Sequence, residues 1–351
     1  MEILFINSKL YLIAFLMPLA LSLLLNPFFR FISVKMGFFD VPSSIKDHKT
    51  PTPHIGGLAI AASFAITLIF LRFYTSFPTG TLRNLRIMFI GASVLFVLGF
   101  LDDIYKPKGL SVKFKFFIQF LTAVFVVFYG IKINFIEPGY LAFIISVLWL
   151  VGISNAINII DIMDGLSGSQ IVIASFGFLL IALPSEAIYV NFASAALAGA
   201  VLGFLPYNFS KKLKIFMGDS GSLFCGFLLA FIAMGTNYSD INLLGVYAPL
   251  FILSIPIYDT IFVSIMRMSR GQSPFIGSRD HFAIRLETAG FSRHKVVLAA
   301  TLFSLLLSFT AFLITQVSLA WGILLYFVVG GEFLLITIAI AKIEVYPVRD
   351  K

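Results

Sequence analysis

Five aspartates in three separated stretches supply the residue types that chemistry on phosphates requires. FLDDIYKPKGLSVKFK holds Asp102 and Asp103, with Lys106, Lys108, Lys113 and Lys115 close behind. NAINIIDIMDGLSGS holds Asn155, Asn158, Asp161 and Asp164, and KKLKIFMGDSGS holds Asp219 behind three lysines. Mg²⁺ takes one or two carboxylates and fills its other positions with phosphate oxygens and water, while lysines meet phosphate as point charges. Acids interleaved with lysines and glycine turns therefore suit a divalent cation and a phosphorylated substrate. Each stretch also has a plainer reading. A DD pair can be a solvated helix end, and an N-x-x-N-x-x-D series lies on one helical face and can be packing. GDSGS can be a helix start with Asp or Ser as N-cap. What favours a site is convergence, which depends on the elements holding the three stretches.

Those elements are apolar. Of 351 residues, 59% are hydrophobic and 12% charged, with 41 Phe and a mean hydropathy of +1.00. Soluble domains carry about 25% charged residues, so the chain reads as an all-α polytopic membrane protein forming a single integral domain over 1–351. At roughly 17–25 apolar residues per crossing, about eleven spans are expected, near 10–30, 56–74, 87–101, 116–131, 140–158, 170–184, 189–206, 221–236, 243–265, 296–316 and 319–341. The first apolar stretch is too long for a signal h-region and reads as a retained span. The single Cys225 lies in an apolar run, which excludes an intrachain disulfide and reads as a buried thiol.

The charge of +8 follows from topology rather than from nucleic-acid binding. Loops after alternate spans and the C-terminal tail hold about 20 of the 25 basic residues, against Lys9, Arg72, Arg83, Arg86 and Lys132 on the other side. Positive loops stay in the cytoplasm, so the N-terminus is expected outside and the C-terminus inside. All three acidic stretches then reach the cytoplasmic face, among loops near 32–55, 102–115, 159–169, 207–220 and 266–295. The first loop, VPSSIKDHKTPTPHIGG, adds Lys46, His48, Lys49 and His54 among three prolines, and Gly56 and Gly57, whose backbone N–H groups could approach an anion. The last loop adds Arg267, Arg270, Arg279, His281 and Arg285, with a short helix expected near 280–289. Pro256 in IPIYDTIF is expected to kink its span, and Asp259 to cap or brace the last loop.

In motif order from about residue 40 to 295, the chain resembles the polyprenyl-phosphate N-acetylhexosamine-1-phosphate transferases. These include the enzymes that start O-antigen, common-antigen and teichoic-acid linkage synthesis, and the phospho-MurNAc-pentapeptide translocase. The motifs run from Asp40 to Gly57, Gly99 to Asp103, Asn155 to Leu166, Phe216 to Ser222 and Arg279 to Leu286. The resemblance implies transfer of N-acetylhexosamine-1-phosphate, usually GlcNAc-1-phosphate, from a UDP-sugar to undecaprenyl phosphate, with Mg²⁺ (or Mn²⁺ in its place). It implies a bacterial inner-membrane enzyme and, by analogy, a homodimer. Asp219 would be the central metal ligand, with Asp103 and Asn158 beside it and Asp102 at the lipid-phosphate end. Asn158, Asp161 and Asp164 would hold the nucleotide, and Phe216 would stack on uracil. Lys46, His48 and Lys49 would contact phosphates or nucleotide, and His281, Arg279 and Arg285 the diphosphate-sugar. Many sugar transferases of this type carry H-I-H-H in the last loop; here the run is His281-Phe282-Ala283-Ile284.

Two other classes fit less well. A secondary transporter would place its acids near the midplane, often in repeated halves, and no repeat is visible here. A CDP-alcohol phosphatidyltransferase would carry D-G-x-x-A-R, which is missing.

Overall fold

In a computed structural model, which describes residues 2–40, 50–275 and 277–345, thirteen α-helices account for nearly all the regular structure. Among the described residues the one β feature is an antiparallel bridge between Asp40 and Thr52. The protein is an all-helical polytopic membrane protein, as expected. Seven helices are long and apolar enough to cross a bilayer: α1 (Glu2–Met36, apolar from Lys9), α2 (Gly56–Tyr74), α3 (Thr79–Ile104), α5 (Gly139–Ile159), α7 (Ile188–Phe209), α12 (Arg293–Gln316) and α13 (Leu319–Ala341).

Of the expected eleven spans, seven are met by these helices and the other four by shorter or broken ones. Each contains a helix, but α4 (Val112–Phe128), α6 (Leu166–Ala182) and α8 (Gly218–Ala233) have 17, 17 and 16 residues. From Ser220 to Ala233 every residue of α8 is buried, and it packs against α2, α3, α5, α6 and α7. A helix apolar all round is surrounded by protein or lipid, and hydropathy does not distinguish the two. Here the surround is protein, so α8 runs through the bundle interior without facing lipid. At the rim, α13 buries little beyond Gly322, Val329 and Ile340, leaving Phe327 and Leu335 outward.

The ninth expected span is broken. Its first part, a 3-10 turn (Leu243–Tyr247) running into α9 (Ala248–Ile252), meets α10 (Ser254–Met268) at 71°. Pro256 has no N–H for the carbonyl four residues earlier, that of Ile252, and its ring crowds the same carbonyl. The kink expected at the proline therefore falls at Leu253. The expected short helix of the last loop is α11 (Phe282–Thr288).

Two close approaches fix where α8 begins. A Cβ on Gly99 would lie 2.4 Å from the carbonyl oxygen of Asp219, and one on Gly57 would lie 2.3 Å from the backbone nitrogen of Gly221. Without side chains there, α3 and α2 press directly on the first turn of α8.

Candidate active site

The carboxyl end of α3 meets the amino end of α8. Both oxygens of Asp103 accept amide protons from that first turn, Asp219 N at 3.1 Å and Ser220 N at 3.0 Å. The cap that the GDSGS pattern invites thus comes from another helix. Its two acceptors satisfy amides that a helix N-terminus leaves without intrahelical partners. The Asp103 side chain is fully buried, whereas Asp219 is 21% exposed. Lys106 Nζ bonds Asp103 Oδ1 at 2.7 Å and Asp219 Oδ1 at 3.2 Å. Lys115, in the first turn of α4, reaches Asp102 Oδ2 at 3.1 Å and Asp219 Oδ2 at 3.5 Å. Leu110 N donates to Asp102 Oδ1 at 2.6 Å. Burial opposes the charge on Lys106, but Asp219 and Asp103 outweigh it and raise its pKa, so it stays an ammonium. Asp102, Asp103 and Asp219 therefore converge, each already engaged by a lysine.

The turn between α5 and α6 forms the next wall. Asn158 Nδ2 donates to Ser222 Oγ at 2.8 Å, which ties α5 to α8 and leaves the amide oxygen as its accepting end. Ser167 donates its hydroxyl to Asp161. Burial pushes Asp161 up to about 6; the Ser167 bond opposes this, and the charges of Asp219 and Lys106 also act on it, so Asp161 borders the same cluster. Asp164 pairs with Lys214 at 2.6 Å, whose ammonium lies 5.3 Å from the centre of the Phe216 ring. Asn208 joins these two loops, accepting from Gly165 N at 2.6 Å and donating to Ile215 O at 3.0 Å. It lies in the last turn of α7, two residues past the expected span, and carries no motif, so sequence reasoning missed it.

The glycine pair of the first loop serves a different purpose from the one expected. Gly56 N donates to Phe216 O at 3.0 Å and Gly57 N to Met217 O at 2.8 Å, so these amides are spent on the α8 loop rather than on an anion. Phe216 N in turn donates to Pro53 O at 2.8 Å. His54 is buried, stacks on Phe38 with ring centroids 4.3 Å apart, and sets Nε2 3.2 Å from the Asp103 carbonyl oxygen. Burial lowers its pKa, which makes it a neutral strut beneath Asp103. Lys46, His48 and Lys49 lie outside the described residues.

The last loop forms a second cluster. Asp259 on α10 is completely buried; its Oδ2 lies 2.7 Å from His281 Nδ1 and its Oδ1 accepts from Phe282 N at 3.0 Å. One carboxylate caps α11 and aims the His281 ring, so the bracing expected of Asp259 is found. Arg285 is 1% exposed. Its guanidinium bonds Asp280 Oδ1 at 2.9 Å and the carbonyl of Ile343 at 2.6 Å, so it clamps the end of α13 instead of facing a substrate. Arg279 is half-buried in the same loop. Phe282, Ala283 and Ile284 are buried, so the residues that follow His281 serve packing. Phe275 meets Phe116 edge-on at 5.5 Å, which seats this loop beside Lys115.

Among the described residues no three His, Cys, Asp or Glu side chains converge as a metal cage. The arrangement instead offers one partly open carboxylate between two ammonium groups, walled by amide, carboxyl and aromatic side chains. That composition suits a diphosphate. The glycosyl transferase family 4 profile matches residues 85–237, which include most of this cluster. The chain is 33% identical over 325 residues, 90% of its length and 88% of the other's, to a probable undecaprenyl-phosphate N-acetylglucosaminyl 1-phosphate transferase of Bacillus subtilis (strain 168). It is 31% identical over 319 residues to a phospho-N-acetylmuramoyl-pentapeptide-transferase of Prochlorococcus marinus, covering 83% of this chain and 86% of that one. A protein of the same name from Bacillus thuringiensis (strain Al Hakam) is 31% identical over 240 residues, 63% of this chain and 72% of that one. Two full-length likenesses of this depth, over a bundle that gathers the motif acids at one end, make the chain a member of glycosyl transferase family 4, the polyprenyl-phosphate sugar-1-phosphate transferases.

Proposed function

We propose that this protein transfers N-acetylhexosamine-1-phosphate, GlcNAc-1-phosphate in the first instance, from a UDP-sugar to undecaprenyl phosphate, giving a lipid diphosphate-sugar and UMP. The observation that carries this reading is Asp219, held between Lys106 and Lys115 at one end of a membrane bundle. The two substrates differ in solubility, one following water and the other lipid, so the chemistry belongs where polar side chains close an apolar bundle. The lysine-rich loops around Asp219 support a cytoplasmic site at the bacterial inner membrane, since positive loops stay inside.

A phosphate oxygen of the lipid attacks the β-phosphorus of the UDP-sugar. The new P–O bond forms as the bridging bond to the α-phosphate breaks, and UMP leaves with that bond's electrons. A phosphate monoester has its second pKa near 6, so the nucleophile is largely a dianion at neutral pH and needs little help from a base. Neutralising charge and holding both anions in line are then the main tasks, as in phosphoryl transfer generally. Lys106 and Lys115 can exchange their carboxylate partners for phosphate oxygens, and Phe216 with the Asp164–Lys214 pair gives the nucleotide an aromatic face with polar flanks. His281, aimed by Asp259, serves the sugar-phosphate side.

The donor set fits Mg²⁺ bound chiefly through substrate. Asp219 is the most open carboxylate of the Asp102–Asp103–Asp219 group, and Asp161 with the amide oxygen of Asn158 would complete the protein's share. Asp103 fits poorly as a ligand, because both its oxygens already serve the amides of α8. When bound, the cation polarises the diphosphate and stabilises the departing UMP. Purified protein should release UMP from UDP-GlcNAc only with both undecaprenyl phosphate and Mg²⁺ present, and mass spectrometry should find the matching lipid diphosphate-sugar. A panel of UDP-N-acetyl sugars fixes the sugar; silence with every member would overturn the reading.

A further inference from the structure

A cavity of about 840 Å³ lies at the end of the bundle away from the acids. Its walls come from the first turns of α3, the last of α4, the outer half of α5 and the carboxyl end of α8, where the motif acids occupy the opposite ends of the same helices. Arg83 and Lys132 both line it, and no Asp or Glu is among the described residues that do. These are two of the five basic residues on the side that topology otherwise leaves poor in positive charge. Arg83 is fixed by a 2.6 Å bond to the carbonyl of Tyr129, and the loop carrying Lys132 is pinned where Ile133 N donates to Ser146 Oγ at 2.8 Å. One side of the cavity is therefore a built cationic rim.

The other side is apolar and opens outward. Phe135, Ile145, Tyr247 and Leu250 line it and are 49%, 39%, 43% and 44% exposed. Trp149 stands behind them, held by its indole N–H to Ala230 O at 3.1 Å. A ligand with an anionic head at Arg83 and Lys132 could run its chain past these residues into the bilayer. The volume lies within the roughly 300–1,000 Å³ range of small-molecule sites, larger than a phosphate head alone requires. We infer that this cavity binds the phosphate head and proximal chain of a lipid in the leaflet opposite the acids. The inference stands without the proposed reaction, since it uses neither the acids nor their chemistry.

Native mass spectrometry of the purified full-length protein tests it with three probes: phosphatidylglycerol, undecaprenyl phosphate and phosphatidylcholine. Wild type should retain one copy of an anionic lipid that the Arg83→Ala/Lys132→Ala variant retains at least about fivefold less. Asp219→Asn should leave that copy in place, which separates it from lipid held near the acids. Whichever anionic probe shows the loss identifies the source of the phosphate. Because Arg83 also secures Tyr129, Lys132→Gln serves as the second variant; its melting temperature should match wild type while its lipid occupancy falls. Equal occupancy in Lys132→Gln and wild type, or equal retention of phosphatidylcholine, would overturn the inference.

Discussion

Both oxygens of Asp103 accept amide protons of α8 while Asp219 points its carboxylate toward solvent and two lysines, so removing one charge at each position should give different losses. Asp103→Asn keeps one acceptor for α8 but loses the second and the charge facing Lys106, and a buried amide left unpaired costs about 1–3 kcal/mol; melting temperature and turnover should fall together, with the Mg²⁺ concentration for half-activity unchanged. Asp219→Asn should fold as wild type, lose about 10²–10³-fold in turnover and demand more Mg²⁺. A normal Mg²⁺ requirement in Asp219→Asn would remove it from the metal site. Asp161 adds a pH signature. Its carboxyl is raised to about 6 against an ordinary 3.8, so the folded protein binds a proton between these values that the unfolded chain does not. Stability of the substrate-free protein should therefore rise as pH falls from about 6 to about 4. Asp161→Asn should flatten that slope and melt on the order of a few °C higher at pH 8, while losing activity; an unchanged slope would place the titration elsewhere. The sequence pointed to acids that the fold brings together without showing which way they face. A DD pair reads alike whether its oxygens meet a metal or the amides of a helix 116 residues onward, and Arg285, which reads as a phosphate ligand, is spent on the end of α13.

At the scale of elements, the site exists because α3 and α2 can press on the first turn of α8. Gly99 lies so close to the Asp219 carbonyl that an added Cβ would sit 2.4 Å away, and a backbone oxygen inside a packed core has little room to yield. Overpacking of this kind costs about 1–3 kcal/mol, and the displacement acts on the turn that carries Asp219. Gly99→Ala should therefore lose more activity than its fall in melting temperature alone would cause. Gly152→Ala on α5 is the control, because nothing lies within 4 Å of a Cβ there; it should keep full activity and be stabilised by up to about 1 kcal/mol. Matching activities in the two variants would remove Gly99 from the positioning of the site. The helices themselves were legible from hydropathy and length, and so was the short α11. Less legible was which apolar stretches face lipid: α8 reads alike whether protein or lipid surrounds it, and here the surround is protein. The break at Leu253 was legible as a proline effect, displaced three residues toward Ile252, whose carbonyl the missing hydrogen bond would have reached.

For the whole molecule, the length of α3 decides what the two ends can face. Its 26 residues span roughly 39 Å at 1.5 Å per residue, more than the hydrocarbon core of about 30 Å. Arg83 and Asp103 lie roughly 30 Å apart along it, so an α3 that crosses the bilayer puts the acid cluster and the cationic cavity on opposite sides. On the proposed orientation, drawn from the bias of lysine and arginine, the acids face the cytoplasm. Single reporters test this: Lys108→Cys and Lys211→Cys at the acid end, Asn134→Cys and Asn237→Cys at the cavity, all four at exposed positions. Cys225 is completely buried and should give little background in the folded protein. An impermeant maleimide should label the cavity pair in right-side-out vesicles and the acid pair only in inverted ones. Reversal of both pairs would keep the fold but turn it over in the membrane, leaving a cytoplasmic UDP-sugar no route to Asp219. Labelling of all four from one side would mean that α3 does not cross at all, and neither the proposed reaction nor a lipid site in the opposite leaflet would survive that result.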